Sequence, residues 1–460
     1  MYAVFALLIF PALALAQVSH QATGVKVGEV SENSAIVWMR VTKNPERNRQ
    51  GEVRRGKAQY LPEGADVNAL EGAAPGMAGR VRLRYGVRPD LQGAAATQWV
   101  AVNPERDFTH QFRITGLQPD TLYHYSAETS SLDGREIHKP LRGSFRTKPL
   151  DSAPTDVTFT VITGLMYRDV DDTVNGFKAF ESMRRLKPHF IVPTGDNVYY
   201  DNEDPIARTV AIARYHWHRT YSYPNLVRFY LEVPAYWEKD DHDTLSDDCW
   251  PGMTNPKMLP LTFEDGKRIF LEQVPMGDKT WRTVRWGRDL QIWLPEGRDF
   301  RSPNNAPDGP DKTIWGAEQK RWIKETLLKS NATWKVMVSP TPIVGPDRPK
   351  KADNHSNKAF QHEGDEFRAW VKQNVPNNFF VACGDRHWQY HSVHPVTGMV
   401  EFASGPVSDE HAGGSPGEDK RYHRFHRVKG GFLSVTVRNR AITFRLHDVE
   451  GKPVYEWSKK

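Results

Sequence analysis

The chain has 460 residues, 38% hydrophobic and 26% charged, enough for two domains with a sizeable core and globular in texture. Its net charge of +6 comes with no dense Lys/Arg run interleaved with aromatics, which argues against specific nucleic-acid binding and is compatible with an anionic substrate. Two cysteines, Cys249 and Cys383, are too few for a disulfide framework.

Residues 2–16 form the only long apolar stretch. It is short for a membrane span, and Ala14-Leu15-Ala16 before Gln17 matches a small-x-small cleavage site. Residues 1–16 are therefore read as a secretory signal, although the basic n-region is missing. A buried N-terminal strand or an anchor is the alternative. The signal predicts a secreted, periplasmic or cell-surface protein.

Residues 18–147 alternate apolar and polar over short segments, as in Ser34-Ala35-Ile36-Val37-Trp38-Met39-Arg40 and Val81-Arg82-Leu83-Arg84-Tyr85-Gly86. Period-two alternation between turns predicts half-buried strands, hence an all-β sandwich. Residues 117–125 resemble the fibronectin type III corner, in which a tyrosine hydroxyl ties a strand to the preceding loop. Residues 43–78, rich in Gly, Pro and charge, read as a long loop, and 148–155 as the linker.

From 156 to 460 the texture is strand-then-helix. Apolar runs at 159–163, 190–193, 290–294, 335–339 and 379–383 predict buried strands, with helical patterns beginning near 177, 316 and 364. This is α/β organisation, closed by a strand meander over 432–457. In such sheets, sites form beyond the carboxyl ends of strands.

Three acidic-histidine segments fall at such places: Gly195-Asp196-Asn197-Val198-Tyr199-Tyr200-Asp201, Asp240-Asp241-His242-Asp243 and Gly384-Asp385-Arg386-His387-Trp388. Carboxylate, imidazole and phenolate hold hard or borderline metals. A phosphate ester needs a nucleophile stronger than water and positive charge over its oxygens, and a metal pair sharing one carboxylate supplies both. Asp196 suits the shared role, with Tyr199 and Asp201 completing its loop. Asp241 is a candidate ligand, and His242 a candidate proton donor. Asp385 and His387, two apart beyond a strand end, can reach one ion. Arg298 and Arg301 leave a strand end and are candidates for clamping phosphate. His216 and His218, two apart on a helix, read as packing residues. Asp353-Asn354-His355 is a loop cluster with either role open, and His391, His394 and His411 read as background. Cys249 and Cys383 each flank one of these segments, so pairing and free buried thiols both stay open.

As a set, these motifs resemble the PhoD-like alkaline phosphatase family of metallophosphoesterases from about residue 156 onward, and the preceding sandwich is similar to that family's N-terminal domain. The resemblance implies a metallophosphoesterase-type α/β sandwich hydrolysing phosphomonoesters or phosphodiesters through a metal-activated water. It implies metal ligation by Asp196, Tyr199, Asp201, Asp241, Asp385 and His387, with His242 matching the histidine of the family's second motif; His242 is expected to serve catalysis, with Arg298 or Arg301 holding the substrate phosphate. It implies divalent cations, calcium first, and in some members iron held by a cysteine after the first catalytic strand. This chain reads Val161-Ile162-Thr163-Gly164-Leu165 there. No Cys, Asp or His stands at that position, which puts iron in question, leaves zinc or manganese open, and raises Asp169 or Asp171 as substitutes. The expected partner is a small phosphate ester. A sulfate-ester or phospholipid hydrolase on the same frame, or a binding protein with a degenerate site, are the competing readings.

Overall fold

The computed structural model describes residues 18–460; the expected signal over 1–16 lies outside them. The N-terminal part consists of two antiparallel sheets. One contains Lys26–Gly28, Ser34–Arg40 and Thr109–Thr115. The other is built on Arg80–Gly86, Leu122–Ser130 and Leu141–Arg146, with two short edge strands. Their inward alternate residues, among them Val37, Met39, Leu83, Phe112, Tyr125 and Phe145, make one core. Tyr123 Oη accepts from Gln118 N at 2.9 Å, so a tyrosine ties its strand to the preceding loop.

The larger part is a four-layer sandwich. A five-stranded sheet runs in the order Phe190–Pro193, Asp156–Ile162, Phe432–Arg438, Ala441–His447, Pro453–Lys459; its first pair is parallel and the rest antiparallel. A seven-stranded sheet faces it, with Leu290–Leu294, Trp334–Ser339, Phe379–Cys383 and Val400–Ser404 in parallel at its centre. Val157, Phe159 and Val161 from one sheet meet Ile292, Val336, Phe380 and Phe402 from the other. The alternate residues face outward onto helices. Ile162 and Ile191 pack under Lys178–Leu186, Val210–Tyr221 and Pro224–Glu232. Met337, Val381 and Cys383 pack under Gly316–Lys329 and Gln361–Asn374. The central parallel strands are covered on both faces, which is why they are continuous apolar runs, whereas outer strands such as Pro453–Lys459 are partly exposed. No helix among the described residues is long and apolar enough to cross a membrane.

The two parts are joined by buried polar contacts. Ala235 bridges Gly28 on one side and Ile191 on the other. Lys26 Nζ donates to Gln273 O at 2.8 Å and lies over the Trp38 and Tyr221 rings, while Trp38 Nε1 donates to Glu272 O at 2.8 Å. The segment 43–78 reaches across as well: Arg47 pairs with Glu71 at 2.9 Å, and the Tyr167 hydroxyl donates to that glutamate at 2.6 Å. It is not wholly loop, since Val67–Ala69 forms a 3-10 turn. Cys249 and Cys383 are both buried and free. His216 and His218 are packing residues: one contacts Pro205 O at 2.8 Å and the other Asp107 at 2.6 Å.

Candidate active site

Two strands, one from each sheet, deliver the first two carboxylates. Asp196 follows Phe190–Pro193 by a Thr-Gly turn, and Asp385 follows Phe379–Cys383 by a single glycine. Both aspartates are left-handed, at φ +52 and +58. Non-glycine residues rarely adopt this conformation, which costs on the order of 1–2 kcal/mol each, and such strain concentrates at functional sites. Thr163, beyond the end of Asp156–Ile162, couples the two turns: its hydroxyl accepts from Asp385 N at 3.2 Å and donates to Gly195 O at 3.4 Å. Gly195 must be glycine, because its φ is +99 and a Cβ there would lie 2.4 Å from that of Asp240. That close approach brings the 240–243 turn against Asp196.

The side chains converge on a cavity of about 290 Å³ lined by Asp196, Tyr199, His242, Asp385, His387 and His411, among others. The Tyr199 hydroxyl donates to Asp196 Oδ2 at 2.9 Å and lies 3.4 Å from His387 Nε2; His387 Nε2 is 3.6 Å from Asp196. Asp196, Asp241 and His242 offer donor atoms all within 4.8 Å of one another, as do Asp241, Asp247 and Asp248. His242 Nδ1 pairs with Asp201 Oδ1 at 2.7 Å, and its Nε2 makes no hydrogen bond within the described residues.

Several buried carboxylates here are short of positive charge, whereas Asp241, against the effect of its burial, is held below its ordinary range by Arg298 and His242. Burial pushes Asp196 above the usual carboxylate range; the His242 charge opposes this, and Asp241 and Asp243 add to it. Burial also raises Asp240 and Asp243, Asp240 despite its ion pair with Arg298. Burial alone would push His242 down, but Asp201 and Asp241 raise it well above its ordinary value. His387 is pushed down by burial and by His411 and Arg386, towards the neutral form that ligates metals. Asp196 Oδ1 is buried without any hydrogen-bond partner. A cation is the partner such a group lacks, and this donor set fits one.

Three expectations need correction. Arg298 is fully buried and does not line the cavity. Its guanidinium pairs with Asp240 and lies 3.6 Å from Asp241 and 3.8 Å from Asp353, so it holds the 240–243 turn and does not reach the cavity. Arg301 is also buried, donating to the Asp353 carbonyl. Asp201 is placed behind His242 and does not line the cavity, and it also accepts from Asp247 N at 3.0 Å. Besides His242, the cavity is lined by the basic side chains of Arg168, Arg348 and Lys351, none of which stands in a motif, and Lys351 is paired with Asp247 and Asp248. Asp353 is a counter-ion for Arg298 and Arg386, and His355 pairs with Glu363 at 2.9 Å in the core. Asp171 Oδ1 accepts from Lys178 N, away from the cavity. His411, read as background, lies 2.9 Å from the Tyr199 hydroxyl; its one sequence cue is Asp409-Glu410 just before it.

Comparison with known proteins bears on the family and the fold. Residues 159–432 match the model of the PhoD-like phosphatase family, and residues 13–149 that of the PhoD-like phosphatase N-terminal domain. A solved structure of PhoD superposes with a TM-score of 0.73 at 15% identity, covering 96% of this chain and 90% of that one. Purple acid phosphatase PPD1 from yellow lupin (Lupinus luteus) seeds superposes with a TM-score of 0.61 at 11% identity, covering 94% of this chain and 73% of that one. No curated protein matches. With a family model matching over half its length, this chain belongs to the PhoD-like phosphatase family.

Proposed function

We propose that this phosphatase is metal-dependent and hydrolyses phosphomonoesters or phosphodiesters outside the cytoplasm. The observation that carries the metal reading is the buried, half-unpartnered Asp196 carboxylate where the two Gly-Asp turns meet. Asp196, Tyr199, Asp241, Asp385 and His387 would hold divalent cations. When bound, these supply a stronger nucleophile from water at neutral pH and offset negative charge on the phosphoryl oxygens.

The chain's own residues do the rest. Arg168, Arg348 and Lys351 on the cavity wall attract and orient an anionic ester. His242, held at Nδ1 by Asp201, lines the cavity with its Nε2 3.8 Å from Asp247 Oδ1. It gives its proton to the leaving oxygen as the phosphorus–oxygen bond breaks, so that an alcohol departs instead of an alkoxide. Arg298 and Thr163 touch no substrate; they keep Asp240, Asp241 and the two Gly-Asp turns in place.

A substrate screen with nitrophenyl phosphate, bis-nitrophenyl phosphate and nitrophenyl sulfate, with and without chelator, tests the reaction class. Turnover of the sulfate alone, or turnover indifferent to chelation, contradicts the proposal. Export is tested by fractionating cells that produce the full chain or one lacking residues 2–16. Equal distribution of the two would remove the signal reading.

A further inference from the structure

His411 belongs to no motif, yet it closes the cluster around Asp196. Its Nδ1 lies 2.9 Å from Asp169 Oδ2. A carboxylate only accepts, so Nδ1 carries the hydrogen and Nε2 of the neutral ring presents its lone pair. That lone pair is aimed at the Tyr199 hydroxyl, 2.9 Å away. The same hydroxyl lies 2.9 Å from Asp196 Oδ2 and 3.4 Å from His387 Nε2, and the His387 and His411 ring centres are 4.0 Å apart. Asp196 Oδ2 and His411 Nε2 therefore compete for one phenolic hydrogen. Independently, Asp196 Oδ1 is buried with no partner, in a residue 1% exposed. More lone pairs than protons in a buried cluster is a demand for a cation.

Gly164 supplies the room. Its φ is +68, and a Cβ built there would come within 3.2 Å of His411 Cδ2 and 3.0 Å of Pro406 Cβ. The imidazole occupies the space beside residue 164 that any side chain there would contest.

We infer that His411, anchored by Asp169, is the fourth donor of a transition-metal site with Asp196, Tyr199 and His387, in the place where residue 164 offers no ligand. The inference rests on the metal-centre reading above. Two imidazoles, a phenolate and one carboxylate suit zinc, manganese or iron, whereas calcium takes six to eight oxygens.

The test uses the full chain, stripped by chelator and titrated with Zn2+ by calorimetry, and in parallel with Co2+ followed by its visible absorption. His411→Ala and His411→Gln are expected to weaken Zn2+ binding on the order of 100-fold and to alter the Co2+ spectrum, and Asp169→Asn about 10-fold. Gly164→Ala, which crowds the ring, is expected to weaken Zn2+ as well. Thermal melts of the stripped proteins check folding, and His411→Gln keeps the bulk should the alanine variant unfold. Wild-type affinity and an unchanged Co2+ spectrum in a folded His411 variant would overturn the inference while leaving the metal centre standing. Failure of the wild-type chain to bind Zn2+ or Co2+ while it takes up Ca2+ would also overturn the inference, and failure to bind any of the three would overturn the metal-centre reading itself.

Discussion

Arg298 offers a direct test of the way the site is held. Its side chain is fully buried and faces three carboxylates, of Asp240, Asp241 and Asp353. Arg298→Met removes the charge at nearly constant volume. Asp353 keeps Arg386 at 3.7 Å, and Asp241 keeps its hydrogen bond from Asp248 N at 2.7 Å. Asp240 loses its cationic partner, and its Oδ2 already lacks a hydrogen bond. The cost therefore falls mainly on one buried carboxylate, and breaking such a pair from one side costs about 3–5 kcal/mol. That is a large share of the roughly 5–15 kcal/mol typical of a folded protein. Arg298→Lys keeps the charge but not the planar fork, and should cost about 1–3 kcal/mol. Adding Asp240→Asn to Arg298→Met should recover part of the loss, because the stranded charge is then gone. Tryptophan fluorescence in a denaturant series on chelated protein reads stability, and steady-state kinetics with metal restored reads function. A variant as stable as wild type, with KM raised and kcat intact, would show that Arg298 binds substrate and would refute the reasoning.

His242→Ala is expected to lower kcat by about 10²–10⁴, with a larger loss for alkyl phosphates than for nitrophenyl esters, whose leaving group needs no proton. Asp201→Asn should lower kcat about 10–100-fold while metal content per chain, read by elemental analysis, stays at the wild-type value. Glu203 is fully buried; burial works against its charge, but Arg219 and His216 hold its carboxyl at about 2, below its ordinary 4.5. A depressed carboxyl contributes stability above its unfolded value and loses it as pH falls from about 4.5 towards 2, here roughly 3 kcal/mol. Glu203→Gln should flatten that part of a stability-against-pH curve, and an unchanged curve would count against the pair. Trp38→Ala should cost about 3–5 kcal/mol and open the junction between the sandwich and the larger part to limited proteolysis, since its indole is buried and bonded to Glu272 O.

Much of the fold is legible because buried parallel strands are continuous apolar runs. Phe190–Pro193, Leu290–Leu294 and Phe379–Cys383 coincide with such runs, and two of them run straight into Gly-Asp turns. His423–Arg427 escapes notice because an edge strand reading His-Arg-Phe-His-Arg has little apolar signal. Phe263–Gln273, with a glycine at its centre, reads weakly as a helix although its Thr262–Asp265 capping box is formed. In the site, residues within one strand-end motif are legible together: Asp196 with Tyr199, and Asp385 with His387. Roles set by burial are not. Arg298 reads as a clamp because it leaves a strand end, and only the fold shows three carboxylates closed around it. His411 reaches Tyr199 from 212 residues away, a contact that no local pattern encodes.

The central claim, a metal-dependent phosphatase built around Asp196, is tested most directly by metal content and ester hydrolysis measured on the same unchelated preparation, beside an Asp196→Ala control. The account predicts bound divalent metal and hydrolysis of nitrophenyl phosphate or bis-nitrophenyl phosphate in the wild type. It predicts that the substitution lowers metal content and abolishes turnover. A wild-type chain that holds no metal and hydrolyses neither ester after supply of calcium, manganese, zinc or iron would contradict it.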